Sequence, residues 1–181
     1  MKFSIRWRET LAVRVLTLVF ATILFTPAFP SEPAAAQVLF VCEHGNVKSL
    51  MAASYFNQLA RERRLPYRAV SRGSAPDSTT VPPAIIDGLR KDGIDVASFH
   101  PTAVDAADIT ASQHLVLINT ELPANTPAQG VSTERWNDVP PASVNFEAAR
   151  DALKRHVAKL IDELARARGL VPAAGIEPAT P

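Results

Sequence analysis

Short apolar runs alternate with segments of helical pattern along most of this chain, and that alternation restricts the fold more than any other feature. The runs that predict β-strands are Val38–Val41, Tyr67–Val70, His114–Ile118 and Val131–Trp136. The segments that predict helices are Ser49–Arg64, Pro82–Lys91, Thr102–Ile109 and Phe146–Arg168. Apolar strands separated by helices favour a parallel sheet covered on both faces. The sequence therefore predicts an α/β three-layer sandwich with a four-stranded parallel sheet.

The first 36 residues have the pattern of a secretory signal peptide. Basic residues precede the apolar run Val15–Phe25, and the small residues Ala34–Ala36 follow it. This pattern predicts cleavage near Ala36 and export, with the periplasm as the destination. The alternative is an uncleaved membrane anchor, although the run is much shorter than the ~20 residues of a usual span. The predicted domain is then residues 37–170, followed by a disordered tail at 171–181.

The charge balance of the predicted mature chain excludes some classes of partner. The whole chain has a net charge of +1, and residues 1–36 contain four bases and two acids, so the remainder has a charge of −1. Without a basic excess, neither nucleic acid nor an anionic membrane surface is expected as the main partner. Contact with a membrane is expected only through the signal segment before cleavage.

A single cysteine, Cys42, ends the first apolar run and precedes a short loop and a helix. One cysteine excludes an internal disulfide. A strand–loop–helix arrangement presents backbone N–H groups and a helix N-terminus to an anion. The same field favours a thiolate, which can attack a bound phosphate. A hydroxyl at Ser49 is placed to donate a hydrogen bond to that sulfur. By contrast, a buried packing role is the usual one for a free cysteine.

Several segments of the chain carry a resemblance to a known family. The first is the sequence VLFVC, which is followed by five residues, a basic residue and Ser49. This segment resembles the Cys-x5-Arg-Ser loop of low-molecular-weight protein tyrosine phosphatases. The same fold includes the thioredoxin-coupled arsenate reductases. Further similar segments, in order, are AVSRGSAP (69–76), PPAIIDGLRKDGIDVASFHPTAV (82–104), HLVLIN (114–119) and WNDVPP (136–141). The loop pattern alone is weak, but five matching segments in the right order are a specific signature.

The resemblance implies a role for each residue that matches the family pattern. Cys42 is the implied nucleophile, Ser49 its hydroxyl partner, and Asp138 the general acid and later the base. The residues implied to surround the oxyanion are Glu43, His44, Gly45, Asn46, Val47 and Lys48. Ser71 and Arg72, in the turn after the second strand, are the predicted supporting residues. The implied reaction uses no metal or cofactor. An alternative for Asp138 is a turn residue, since aspartate before Val-Pro-Pro is also typical of turns.

The sequence departs from the family inside the loop. Lys48 stands where the family has arginine, and it lacks the planar fork that holds two phosphate oxygens. The family's Gly-Asn pair lies one residue later here, so Gly45 takes the place of the family's asparagine. Glu43 adds a negative charge beside an anion site, and His44 is either a pocket-mouth residue that tunes the pH response or a solvated loop residue. Arg72 either supplies the missing guanidinium or is a surface residue.

Three functions are consistent with these residues. The first is hydrolysis of phosphomonoesters, with phosphotyrosine among the candidates, through a cysteinyl-phosphate and with activity weakened by Lys48. The second is arsenate-reductase-like chemistry, which requires an external thiol because Cys42 is the one cysteine of the chain. The third is a non-catalytic module that binds phosphate or a related oxyanion. Only the first two make use of a thiol at position 42.

Overall fold

The computed structural model describes residues 35–170, which contain four strands and four helices. The strands are β1 (Ala36–Cys42), β2 (Tyr67–Gly73), β3 (Ser112–Ile118) and β4 (Ser132–Trp136). The helices are α1 (Lys48–Glu62), α2 (Pro83–Lys91), α3 (Ala106–Ala111) and α4 (Phe146–Ala167). The predicted elements are all present. The short helix expected from Thr102 begins only at Ala106, because Asp105 and Asp108 form a reciprocal capping box there.

The strands form one parallel sheet in the order β2-β1-β3-β4. Strand β1 lies in the middle, paired with β2 on one side and β3 on the other. Since all strands run in the same direction, their carboxyl ends meet at one edge of the sheet. Cys42, the last residue of β1, lies at that edge opposite Gly73 of β2.

Two hydrophobic clusters lie on opposite faces of the sheet. The larger cluster contains Val38 and Phe40 of β1 together with buried residues of α1, α2 and α4. The smaller one contains Leu39 and Val41 with Ile109 of α3. Alternating residues of β1 therefore face different layers, as the pleat of a strand requires. This arrangement confirms the predicted three-layer α/β sandwich.

Helix α4 closes the larger face of the sheet. Asn145 caps its start by accepting a hydrogen bond from the backbone N–H of Ala148 at 2.9 Å. Its buried stripe consists of Ala149, Ala152, Leu153, Val157, Leu160, Ile161 and Ala165. These residues recur at helical spacing, which explains why the sequence pattern located this helix well.

The predicted boundaries fall near the limits of the described chain. Strand β1 begins at Ala36, the last residue of the predicted signal segment, and its N–H donates to the carbonyl of Pro66 at 2.9 Å. The rest of that segment up to residue 34, and the predicted disordered tail at 171–181, lie outside the described residues. Within residues 35–170, no helix is long and apolar enough to cross a membrane.

Phe40 offers a test of this packing. Its ring is fully buried and lies 5.8 Å from the ring of Phe56 and 5.5 Å from that of Trp136. We expect Phe40→Ala to lower the free energy of unfolding by about 3–5 kcal/mol, because it leaves a cavity between β1 and α1. Val144→Ala, at an 83% exposed position, serves as the control and should change it by less than about 0.5 kcal/mol. Urea denaturation measures both, and equal effects would contradict the assignment of this core.

Candidate functional site

The loop of residues 43–47, here called the Cys42 loop, connects β1 to α1 and packs against the end of β2. The backbone N–H groups of Ser74 and Ala75 donate to the carbonyls of Cys42 and Glu43 at 2.9 and 2.8 Å. Gly45 has a φ of +76°, and a Cβ at this position would lie 2.6 Å from the backbone nitrogen of Gly73. Only glycine therefore fits both the conformation and the space. These contacts fix the curvature of the loop around Cys42.

The sulfur of Cys42 lies among hydrogen-bond donors at the N-terminus of α1. It is 2.9 Å from Oγ of Ser49 and accepts a hydrogen bond from the N–H of Gly45 at 3.3 Å. Donors and a helix N-terminus favour negative charge on the sulfur. The thiol is also nearly buried, with 5% of the residue exposed. The structure thus brings the predicted nucleophile and its predicted hydroxyl partner into direct contact.

Ser71 extends this contact into a chain of hydroxyl groups. Its Oγ donates to Oγ of Ser49 at 2.9 Å, with the carbonyl of Gly45 as a second acceptor at 3.0 Å. When Ser71 donates to Ser49, the single proton of Ser49 is left for the sulfur or for the carbonyl of Arg72, which lies 3.3 Å away. Ser71, predicted to support the site, is therefore in direct hydrogen-bonding contact with Ser49.

A pocket of about 310 Å³ opens above Cys42. The residues that line it are Cys42, Glu43, His44, Val47, Lys48, Ile118, Asn119, Pro141, Ala142 and Ser143. They come from the Cys42 loop, the end of β3 and the loop of residues 137–145, which we call the β4–α4 loop. The pocket is therefore built where three carboxyl ends of parallel strands meet, as is usual for open α/β sheets.

Lys48 connects these loops across the mouth of the pocket. Its Nζ donates to Oδ1 of Asn119 at 2.8 Å and to the carbonyl of Val139 at 3.2 Å. Burial lowers the pKa of Lys48, and the negative charges of Cys42 and Glu43 act in the opposite direction. Two of its three donors already have protein partners, so only part of its hydrogen-bonding capacity remains for an anion.

Asn119 is a pocket residue that the sequence analysis did not identify. Besides accepting from Lys48, its Nδ2 donates to the carbonyl of Asn137 at 2.9 Å. It also has a positive φ of +50°, which asparagine tolerates better than most residues. The sequence signal that could have identified Asn119 is its place directly after an apolar strand. The carboxyl end of that strand lies at the same edge of the sheet as Cys42.

Asp138 is not among the residues that line the pocket, although the carbonyls of its neighbours Asn137 and Val139 accept hydrogen bonds from Asn119 and Lys48. Its Oδ1 lies 2.8 Å from Nε2 of His156, whose ring stacks on Trp136 with centroids 4.7 Å apart. The side chain is 70% exposed, and this hydrogen bond is the main cause that lowers the pKa of Asp138. A general acid must hold a proton at working pH, which a lowered pKa opposes. The β4–α4 loop instead contributes Pro141, Ala142 and Ser143 to the pocket.

Arg72 also lies away from the pocket, which corrects the hypothesis that it replaces the missing guanidinium. Its Nε and Nη2 both lie 2.8 Å from the carboxylate of Asp108 in α3. Successive side chains of a strand point to opposite faces, so Ser71 faces the Cys42 loop while Arg72 faces the α3 layer. Arg72 is half-buried in an ion pair, so it is not a free surface arginine either.

The remaining loop residues have distinct positions. Glu43 is two-thirds exposed and lines the pocket mouth. His44 also lines the pocket and lies 3.1 Å from Asp77. Asn46 is buried and donates through Nδ2 to the carbonyl of Thr80 at 2.9 Å, and Val47 contacts both core and pocket. Among residues 35–170, no group of three His, Cys, Asp or Glu side chains is arranged to hold a metal ion.

A comparison with protein families matches residues 37–169 to the family described as low molecular weight phosphotyrosine protein phosphatase. The matched segment contains the sheet, the Cys42 loop and the whole of α4. A comparison with curated proteins finds no match.

Solved structures with the same fold include enzymes named for two activities. YfkJ from Bacillus subtilis superposes with a TM-score of 0.66 at 21% identity, over 74% of this chain and 96% of that one. A low molecular weight protein tyrosine phosphatase from T. tengcongensis gives 0.58 at 21% identity, over 71% and 99%. A thioredoxin-dependent arsenate reductase from Corynebacterium glutamicum gives 0.62 at 17% identity. That match covers 75% of this chain and 64% of the reductase. At these identities the likeness establishes the fold.

The Cys42 loop leads to a prediction with a matched control. Gly45 and Gly130 have nearly the same φ, +76° and +78°, but a Cβ at Gly130 would meet nothing within 4 Å. Alanine at either position costs about 1–2 kcal/mol for its left-handed conformation. We expect Gly45→Ala to destabilise the fold further and to abolish phosphate binding, because it also collides with the backbone of β2. Thermal melting with and without phosphate measures both, and equal behaviour of the two variants would contradict the geometry of the loop.

Proposed function

The chain belongs to the family of low molecular weight phosphotyrosine protein phosphatases, and we propose that it hydrolyses phosphomonoesters slowly through a cysteinyl-phosphate on Cys42. The observation that carries this proposal is the sulfur of Cys42 at the pocket floor, 2.9 Å from Ser49 and 3.3 Å from the N–H of Gly45. A residue that served only packing would not require these donors around its sulfur.

The first step transfers the phosphoryl group to sulfur. The thiolate of Cys42 attacks phosphorus, an S–P bond forms, and the P–O bond to the leaving group breaks with its electron pair on oxygen. The backbone N–H groups of the Cys42 loop and the N-terminus of α1 compensate the charge of the phosphoryl oxygens. The leaving oxygen needs a proton, and Asp138 is the proposed donor; in the structure its carboxylate lies 2.8 Å from Nε2 of His156.

The second step restores the enzyme. Water attacks phosphorus, the S–P bond breaks and the thiolate returns, while a base takes the proton of the water. Ser49 donates a hydrogen bond to the departing sulfur, and Ser71 holds that hydroxyl in place. Better stabilisation of the thiolate makes the sulfur a better leaving group, so both serines favour this step.

Lys48 explains why the proposed reaction is slow. An arginine fork donates two parallel hydrogen bonds to equatorial oxygens, which gain charge in the transition state. Lys48 has one ammonium group, and it already donates to Asn119 and to the carbonyl of Val139. Binding of the anion is affected less than stabilisation of the transition state, since only the latter depends on the planar geometry.

Two alternatives remain, each with an observation in its favour. Reduction of arsenate begins with the same thiolate attack, and the fold is shared with a structure named as an arsenate reductase. It would need an external thiol, because Cys42 is the one cysteine of the chain. Simple oxyanion binding is favoured by the engagement of Lys48 with the two neighbouring loops and by the hydrogen bond that engages the carboxylate of Asp138 with His156.

Turnover of p-nitrophenyl phosphate by the purified protein tests the proposal. Cys42→Ser should abolish it, because the hydroxyl is not ionised at neutral pH. Lys48→Arg should raise kcat roughly tenfold or more, since it restores a contact to the transition state. Lys91→Arg, an exposed position at the end of α2, is the matched control and should leave kcat unchanged.

Other results would select among the functions. Parent turnover that survives Cys42→Ser would contradict the thiolate mechanism. Turnover that appears in Lys48→Arg but not in the parent would mean that the parent keeps the phosphatase fold and site but has lost catalytic activity. No turnover in either protein, with phosphate still raising the melting temperature, would favour the binding module. Arsenate consumption that requires added glutathione or thioredoxin would favour the reductase.

We also propose that the protein is exported, on the basis of the signal-peptide pattern in residues 1–36. In a bacterial host, the soluble periplasmic fraction should contain a product whose intact mass corresponds to residues 37–181. Replacement of the small residues Ala34 and Ala36 by bulky ones should block cleavage and give the full-length mass. Full-length parent protein in the membrane fraction would instead support an uncleaved anchor, and recovery in the cytoplasm would contradict export.

A further inference from the structure

The ring of His156 in α4 is held by strand β4. It stacks on the indole of Trp136 with ring centroids 4.7 Å apart and ring planes 17° from parallel. Trp136 is buried, and its Nε1 donates to Oε1 of Glu134 at 2.8 Å. The other oxygen of Glu134 lies 3.6 Å from Nε2 of His114 in β3. The imidazole therefore rests on an indole that packing and a hydrogen bond fix, and only 24% of the His156 side chain is exposed.

The chain on either side of Asp138 is held by residues of the pocket. The carbonyl of Asn137 accepts a hydrogen bond from Nδ2 of Asn119 at 2.9 Å. The carbonyl of Val139 accepts one from Nζ of Lys48 at 3.2 Å. Both donors line the pocket above the nucleophile. The backbone of Asp138 is therefore anchored through its two neighbours, and the direction of its side chain is left to a separate contact.

That separate contact engages one oxygen of the carboxylate. Oδ1 of Asp138 lies 2.8 Å from Nε2 of His156. An ionised carboxylate can only accept, so the ring nitrogen that faces it carries the hydrogen. A neutral carboxylic acid carries its proton on one oxygen and accepts hydrogen bonds at the other. With Oδ1 occupied as the acceptor, the proton of a neutral Asp138 belongs on Oδ2.

We propose that His156 is a positioning residue for Asp138: it holds Oδ1 and thereby leaves Oδ2 as the oxygen that carries the catalytic proton. This inference rests on the proposed phosphatase function, in which Asp138 is the donor. In the first step, Oδ2 gives its proton to the leaving oxygen as the P–O bond breaks, and the acid becomes a carboxylate. In the second, that carboxylate takes a proton from the water that attacks phosphorus. The S–P bond then breaks, and the thiolate of Cys42 departs.

The same hydrogen bond sets the pH dependence of this role. The pKa of Asp138 is lowered, chiefly by its hydrogen bond with His156, and burial acts in the opposite direction. The charge of Arg155, next to His156 on α4, also lowers this pKa. On the β4 side, the charge nearest the ring stack is that of Glu134, which accepts from the indole of Trp136.

The sign of the expected pH effect follows from the state that a general acid must have. The free enzyme needs a protonated Asp138, so kcat/KM for a substrate that requires the proton falls as the pH rises through the pKa of Asp138. Removing the hydrogen bond from His156 raises this pKa. The alkaline limb of the profile should then lie at higher pH than in the parent.

The test compares two substrates that differ in their need for a proton. Phenolate leaves poorly without protonation, whereas p-nitrophenolate leaves readily. His156→Phe keeps an aromatic ring against Trp136 and removes the donor to Asp138. Below the alkaline limb, it should lower kcat/KM for phenyl phosphate about tenfold or more and for p-nitrophenyl phosphate less than about threefold. The alkaline limb for phenyl phosphate should move to higher pH.

Two further variants separate the hydrogen bond from other effects. His156→Gln keeps an N–H donor, so its loss on phenyl phosphate and its shift of the limb should both be smaller than those of His156→Phe. His100→Phe is the matched control and should change neither, because His100 is exposed and its Nδ1 lies 3.1 Å from the carbonyl of Thr79. Phosphate should still raise the melting temperature of each variant, which separates lost chemistry from a lost fold.

Each outcome supports or overturns a specific statement. If His156→Phe behaves like His100→Phe, or if its limb moves to lower pH, the role of His156 is overturned while the thiolate mechanism stands. Equal losses in His156→Phe and His156→Gln would overturn the hydrogen bond as the cause. Asp138→Asn should show the selective loss on phenyl phosphate, and its absence would remove the acid that His156 is proposed to position. Absence of parent turnover, or turnover that survives Cys42→Ser, would contradict the proposed function itself.

Discussion

The contact between the Cys42 loop and the end of β2 is the constraint on which the rest of the site depends. Gly45 turns with a positive φ against the backbone of Gly73, and two hydrogen bonds from residues 74 and 75 hold the start of the loop. This contact directs the N–H of Gly45 at the sulfur of Cys42 and places Ser71 beside Ser49. It also brings Asp77 next to His44. A neighbouring strand thus shapes the loop as much as its own sequence does.

Lys48 is more than a weaker substitute for an arginine. Its ammonium joins the end of β3 to the β4–α4 loop through Asn119 and the carbonyl of Val139. A cation at the first position of a helix is opposed by the helix dipole, and burial lowers the pKa of this one. The contacts with two carbonyl-type oxygens compensate part of that cost. The residue therefore shapes the mouth of the pocket and contributes one point of positive charge to it.

Side chains whose direction depends on distant partners are the ones that the sequence predicts least well. The proximity of Cys42, Ser49 and Ser71 was predictable because all three lie at strand ends or a helix start that neighbouring residues define. Asp138 was assigned a role through a resemblance in a loop, and its contact with His156, 18 positions further along the chain, was not visible from that loop. Arg72 was assigned by proximity in sequence, yet the pleat of β2 turns it toward Asp108 in another layer. Asn119 was missed because nothing local marks it as a partner of Lys48.

The sequence by itself determined the fold class, the four strands and helices, the family and the thiol at the end of β1. These features follow from local periodicity, from strand and helix signals and from motifs that short segments carry. Only the tertiary structure decided which side chains reach the pocket, because that depends on strand order and on pairs far apart in sequence. His44 with Asp77, and Lys48 with Asn119, are such pairs. Each pair joins two segments that follow different strands. These segments lie together because the parallel strands end at the same edge of the sheet.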